Sequence, residues 1–318
     1  MSVELYNEQA SFLNKLEKEG KSFNTLKNYK TDLQCFLEYV QKELKDSKIN
    51  EFSFDQVFHY TTYINNRYPS INSRRRRIQA LRLFFDFLVN KGMYDSNPIR
   101  KINVSPKFVD IPRPPQMKDI LQFFNYIQTK LNNSQNLEQL VCLRNKILFY
   151  LIYDAGLKVS DIEGLKQDNF LFDAENNCYR ILIKHPKRDA ISVPLSLSFN
   201  PLYTNYIELL NNYEQSNNLS FKFILFNANP YKILSGDLSA RGCEIIFKEI
   251  SEILSIKITP KTLRQACIFR WIREKINDST IKEWMGVLPN YSLKKYFELY
   301  QNGNNPDYLF FKMEDFDR

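Results

Sequence analysis

Glycine is scarce, with 8 residues in a chain of 318, too few for the many tight turns of an all-β protein. Histidine is scarcer. His59 and His185 are the only two, which leaves little for histidine-based metal binding or acid–base chemistry. The five cysteines (Cys35, Cys142, Cys178, Cys243, Cys267) are odd in number, scattered and without CxxC spacing. That excludes an obvious zinc site or disulfide framework and suits a reducing, cytoplasmic compartment. Long apolar runs are missing too. The longest, Ile147 to Tyr153, falls far short of the roughly 20 residues that span a bilayer. The N-terminus has no basic-then-apolar secretion pattern. The expected protein is soluble, cytoplasmic and independent of membranes and metals.

Apolar residues, by contrast, make up 43% of the chain and aromatics 14%, ample for packed helical cores. The length most simply accommodates two domains. Net charge is +8, a balance that permits a nucleic-acid partner without requiring one.

The first third reads as helices. Phe12, Leu13 and Leu16 mark one. From Asn24, a plausible N-cap, Leu26, Tyr29, Leu33, Phe36, Leu37 and Val40 recur at helical spacing. A third helix spans roughly Phe54 to Tyr68, and a fourth runs from near Ser73 through Ile78, Leu81, Phe84, Phe85 and Leu88 to a stop at Gly92. Without any strand signal, these make a small helical bundle over residues 1–108. Arg74, Arg75, Arg76 and Arg77 open the fourth helix and Arg82 lies further along it. Four adjacent guanidinium groups at the positive end of a helix dipole repel one another unless solvated or paired with anions. Either they form a solvated basic face or they contact DNA phosphates.

Prolines cluster between Ser105 and Pro115, block helix continuation and favour an extended linker, placed at 109–115. The second domain, 116–318, begins with helices around Met117 to Leu131 and Leu137 to Ala155, with Gly156 as a left-handed cap. Ser160 to Glu163 has the form of a capping box. Tyr179 to Ile183 and Ile191 to Leu195 are β-rich segments on either side of a basic turn containing Lys184, Lys187 and Arg188, a predicted hairpin. Further helices follow near Pro201 to Gln215, Ser239 to Leu254, Lys261 to Lys275, Thr280 to Met285 and Ser292 to Tyr300. The fold class is mainly α with a small β-sheet.

Several short motifs then occur in a telling order. Thr25-Leu-Lys-Asn-Tyr29-Lys-Thr-Asp32-Leu33, Arg82-Leu-Phe84-Phe85 and Asn97-Pro98 lie in the first domain. In the second come Ala155-Gly156-Leu157-Lys158-Val159-Ser160-Asp161, the hairpin end Val193-Pro194-Leu195, Thr259-Pro260-Lys261-Thr262-Leu263-Arg264, and Gly286-Val287 followed by Tyr296. Over nearly its whole length the chain resembles the tyrosine recombinase/phage integrase family, Xer-like members most of all. The resemblance implies a helical, SAM-like core-binding domain and an α+β catalytic domain that clamp duplex DNA. It also implies a homo- or hetero-tetramer working on two sites.

The family's tyrosine attacks a DNA phosphodiester to give a 3′-phosphotyrosyl intermediate, which a free 5′-hydroxyl then reverses. No cofactor or metal is needed, because the bond energy stays in the ester. Carried onto this sequence, Tyr296 takes the nucleophile's place, with Tyr300 a lesser candidate, and Arg264 that of the second arginine. Lys187, or failing it Lys184, takes the place of the general-acid lysine. Asp161 stands where a supporting carboxylate is expected, and Gln265 where histidine is common. Three positions depart from the pattern: Lys158 replaces the first arginine, Lys261 a histidine, and Val287 the His or Trp after the turn glycine. Arg74 to Arg77, Arg82, Lys184 and Arg188 are the DNA-contact candidates.

Two alternatives stay open. One is a paralogue that binds the same DNA without cutting, as an architectural or regulatory partner, with Lys158 and Val287 as the discriminating positions. The other is a basic helical protein with a non-DNA partner. The resemblance also has the tail from Asn302 to Arg318, including Tyr308 to Phe311, docking on a neighbouring subunit.

Overall fold

A computed structural model describes residues 3–44, 53–102, 111–185, 188–229, 231–302 and 309–316. The chain forms two compact units, Met1–Asp110 and Ile111–Arg318.

In the first unit, helices α1 (Val3–Lys18), α2 (Phe23–Glu43), α3 (Phe54–Arg67) and α4 (Ile71–Asn90) are followed by a short 3-10 turn, Pro98–Lys101. Phe12, Leu33, Phe36, Tyr60, Ile64, Phe84, Phe85 and Leu88 fill its centre, the apolar stripe that the sequence periodicity predicts. Each later helix start is fixed by a serine. The Ser22 hydroxyl accepts from the Thr25 amide at 3.3 Å, so the cap of α2 lies two residues before the expected Asn24. Ser53 and Gln56 satisfy each other's amides at the start of α3. Ser70 caps α4, which therefore begins before Ser73.

In the second unit, α5 (Met117–Asn132) and α6 (Asn136–Tyr153) lead into a one-turn helix α7 (Val159–Ile162). Strands β1 (Phe170–Asp173), β2 (Cys178–His185) and β3 (Arg188–Pro194) form an antiparallel sheet in that order. Ile181 pairs with Val193, and Ile183 with Ile191. These four side chains are buried, so the β2–β3 hairpin holds its register by placing one apolar face on the core. Helix α8 (Phe199–Asn217), the two-stranded ribbon β4 (Phe226–Ala228) and β5 (Ile233–Asp237), and helices α9 (Ala240–Leu254), α10 (Pro260–Arg273), α11 (Asp278–Trp284) and α12 (Lys294–Asn302) follow. Helices α6 and α10 are sheathed in apolar neighbours: Ile147 to Tyr153 and Ala266 to Cys267 are almost wholly removed from solvent.

One expectation is corrected here. Ser160 to Glu163 does not open a helix: α7 already starts at Val159, and its cap is made by the Asp161 carboxylate accepting from the Lys158 amide at 3.3 Å. The described part of the tail, residues 309–316, packs on its own chain. Phe310, Met313 and Phe316 are buried, and Phe316 meets Phe124, Phe149 and Tyr153 edge-on. The Tyr153 hydroxyl donates to the Phe311 carbonyl at 2.7 Å and Arg273 to that of Phe310 at 2.8 Å. The aromatic recess between α5 and α6 thus finds its filling within the same unit. Tyr308 lies outside the described residues.

Candidate active site

Arg264 is where the site can be built from. Thr259 caps α10 and Pro260 occupies its first turn, where a missing amide hydrogen costs nothing. That start sets Arg264 to face back across the unit. Its Nε donates to the Gly156 carbonyl at 2.5 Å and its Nη2 to the Met285 carbonyl at 2.8 Å. One guanidinium therefore ties the turn leading into Lys158 to the turn leading into Val287.

Both turns depend on glycine. Gly156 has φ +63° and Gly286 φ +58°, a region costly for residues with a Cβ. At Gly156 a Cβ would also come within 2.4 Å of the Trp271 ring, so helix α10 could not lie as close with any other residue there. Burial lowers the Arg264 pKa, and Tyr296 and Asp161 offset this only in part. The guanidinium keeps its proton nonetheless.

Around this centre the structure gathers several of the expected residues. Lys158 is half-buried immediately before α7, and Asp161 caps the same turn. Val287 is half-buried and packs against the core. Tyr296 is buried on α12, its ring 5.4 Å from that of Phe269. Tyr300, one turn on, is 41% exposed. Lys261 is exposed, one turn before Arg264 on the same helix. Lys184 is exposed at the end of β2. Lys187 lies outside the described residues, and of Arg188 only its backbone in β3 is described. The Gln265 side chain accepts from the Arg113 amide at 2.9 Å, so it anchors the segment that enters α5.

The arginines of the first unit do not form one outward face. Arg76 donates from Nη2 to Oδ1 of the buried Asp32 carboxylate at 3.0 Å, and its Nε lies 2.9 Å from Oδ2 as an ion-pair contact. Arg77 is itself buried, donates to the Ser73 carbonyl at 3.1 Å, and lies 3.6 Å above the Tyr68 ring. Arg82 donates to the Ile99 and Ile102 carbonyls. These three hold the bundle together. Arg74 and Arg75 are half-buried in the first turns of α4.

Sequence reading passed over one buried cluster beneath the site. The Asp154 carboxylate pairs with Arg270 at 3.0 Å and accepts from the Ser196 amide at 2.7 Å. Arg270 also donates to the Asp154 carbonyl at 2.7 Å. A signal existed, since Asp154 and Arg270 are lone charges in the otherwise apolar stretches 147–157 and 266–272, and buried charges demand partners. Among the described residues, no group of His, Cys, Asp and Glu is arranged to hold a metal ion, and no helix is long and apolar enough to cross a membrane.

Comparison with known proteins agrees with this architecture. Residues 10–92 match the phage integrase N-terminal SAM-like domain and residues 114–302 the phage integrase family. The chain is 24% identical over 282 residues to tyrosine recombinase XerC of Staphylococcus aureus (strain MRSA252), covering 87% of each. It is also 24% identical over 271 residues to tyrosine recombinase XerD of Listeria monocytogenes serovar 1/2a, covering 84% of this chain and 85% of the relative. Among solved structures, XerH bound to palindromic difH substrate in a post-cleavage complex is similar with TM-score 0.64 and 16% identity, over 91% of this chain and 81% of that one. A lambda integrase dimer bound to a COC′ core site gives 0.62 and 13%, over 94% and 78%.

Proposed function

The chain belongs to the phage integrase family of tyrosine recombinases, and from that premise we propose that it is a site-specific DNA recombinase acting through a 3′-phosphotyrosyl intermediate. The observation that carries this reading is the Arg264 guanidinium, held between the Gly156 and Met285 carbonyls, with Tyr296 packed against Phe269 of the same helix. Those two bonds use two of its five N–H donors, and a planar fork with donors in reserve suits two phosphoryl oxygens.

In this reaction the Tyr296 hydroxyl oxygen attacks phosphorus and its proton departs. The P–O5′ bond breaks, and the leaving 5′-oxygen takes a proton, in this reading from Lys187 or Lys184 on the hairpin. A 5′-hydroxyl from a partner strand then attacks the phosphotyrosine and frees Tyr296. The pentavalent transition state carries extra negative charge, so positioned cations do most of the catalytic work. Arg264, Lys158 and Lys261 are assigned that role. Structures of lambda integrase are described as a dimer and as a tetramer on DNA, and one of XerH as bound to its difH substrate. By analogy the working form here is a cytoplasmic tetramer on two duplex sites, homomeric or with a related partner recombinase.

A second reading draws on Val287 and Lys158. Val287 packs against apolar neighbours and offers phosphate no side-chain donor. Lys158 keeps its charge but lacks the fork. One lost preorganised donor costs roughly 10²–10³ in rate, so a DNA-binding paralogue that does not cut is the alternative. The test is a nicked duplex bearing the site this protein selects from random-sequence DNA. A covalent adduct that Tyr296→Phe abolishes is the expected result. Binding without any adduct leaves the non-cutting reading standing.

A further inference from the structure

Asp154 and Arg270 belong to none of the roles assigned above, yet they lie where the end of α6, helix α10 and the segment after β3 meet. Asp154 ends α6, two residues before the glycine whose carbonyl Arg264 holds. Its Oδ1 meets Arg270 Nη2 at 3.0 Å, and the same nitrogen donates to its backbone carbonyl at 2.7 Å. That carbonyl also accepts from the Cys267 thiol at 3.4 Å. Its Oδ2 takes the Ser196 amide at 2.7 Å, just past the end of β3. Relative exposure is 4% for Asp154 and 6% for Arg270.

We infer that the Asp154–Arg270 pair is a positioning device, holding the Gly156–Lys158 turn, the Arg264 helix and the β2–β3 hairpin in a single catalytic register. The inference rests on the recombinase reading for what that register serves.

Stability alone does not account for such a pair. A buried ion pair rarely outperforms well-packed apolar residues of similar volume. What it provides instead is direction, because four hydrogen bonds from three chain segments fix angles that apolar contacts leave loose. Burial lowers the Arg270 pKa, but Asp154, Cys267 and Glu274 more than reverse this and the net shift is upward. Burial pushes the Asp154 carboxyl up, against Arg270 and the Ser196 bonds. The guanidinium cannot give up its proton, so the ion pair is the state that satisfies both groups.

Position matters steeply in such chemistry, since a misplacement of about 1 Å can cost roughly 100-fold in rate. Arg264 sits on the same helix as Arg270, and its hydrogen bond to Gly156 spans the same gap that the ion pair bridges. The hairpin enters through Ser196, two residues past the end of β3, so the strand that leads back to the lysine-bearing turn is held from the same point.

The test uses the full-length protein with two replacements, the apolar pair Asp154→Leu/Arg270→Met and the charge-keeping Arg270→Lys. Melting temperature, affinity for the selected nicked duplex, single-turnover adduct formation and amide hydrogen exchange are compared with the parent. The expected result is a folded protein with unchanged duplex affinity, adduct formation slowed by roughly 100-fold, and faster exchange in residues 154–160 and 191–197 together. Arg270→Lys, which retains one bond, should fall between. If the apolar pair does not fold, Arg270→Lys carries the same two readouts. A folded variant that cleaves at the parent rate, or whose two segments exchange as in the parent, overturns the inference. Should the parent itself form no adduct, the recombinase reading fails on its own, and the exchange measurement still decides whether the pair positions these segments.

Discussion

A lysine in place of an arginine keeps the charge and gives up the fork, so Lys158→Arg asks what position 158 does. If it faces the phosphate, the restored fork should speed adduct formation, up to the roughly 10²–10³ that a single preorganised donor can supply. An unchanged or slower rate rejects the assignment. A second residue-scale prediction concerns acid. In the first unit the Asp86 carboxylate accepts from Arg100 at 2.9 and 2.7 Å and from Asn97 at 2.7 Å. These bonds, those of Arg100 foremost, hold its pKa below the ordinary 3.8. A carboxylate with a depressed folded pKa contributes stability that is full above its unfolded value and is lost as pH falls through the folded one. The protection factors of the α4 amides, corrected for the intrinsic exchange rate at each pH, should therefore fall as pH drops below about 4. Asp86→Asn should flatten that dependence while lowering protection at neutral pH.

At the scale of elements, the Gly156 turn is the most sensitive point. Gly156→Ala would meet both a left-handed φ, costing about 1–2 kcal/mol, and the Trp271 ring, where overpacking costs about 1–3 kcal/mol. A melting temperature within a degree or two of the parent would show that the turn can relax. Gly156 and the hairpin were legible in the sequence because each carries a local signal: a glycine ending an apolar helix, and alternation in Tyr179–Ile183 and Ile191–Leu195. β1 was not, because Leu171 and Phe172 are both exposed and no alternation marks them. β4 and β5 are too short to stand out. The start of α7 was misread since Ser160 has a cap's chemistry, whereas the cap is the Asp161 carboxylate accepting from the Lys158 amide.

For the whole molecule, long-range pairings decide what reading could not. Arg264 and Tyr296 stood out only through the order of motifs along the chain. The partnership of Asp154 with Arg270 spans 116 residues, and no local pattern announces it. The four consecutive arginines looked alike in sequence, but Asp32 and Tyr68 assign Arg76 and Arg77 to the bundle's interior work. The tail is a similar case, its apolar residues having no visible partner until the fold places them on α5 and α6. Phe316→Ala should cost about 3–5 kcal/mol, as for other large buried aromatics, read as a drop in the second unit's melting temperature. A loss below about 1 kcal/mol would mean that the segment only rests on the surface.

That docking also sets an order of events during synthesis. The Tyr153 hydroxyl waits for a carbonyl 158 residues downstream, and Phe124 and Phe149 wait for Phe316. Until the ribosome has released residues 309–316, the α5–α6 surface stands open with its aromatics facing water. The second unit therefore cannot close as it emerges. A nascent chain stalled before Leu309 should recruit chaperones that the finished protein no longer needs.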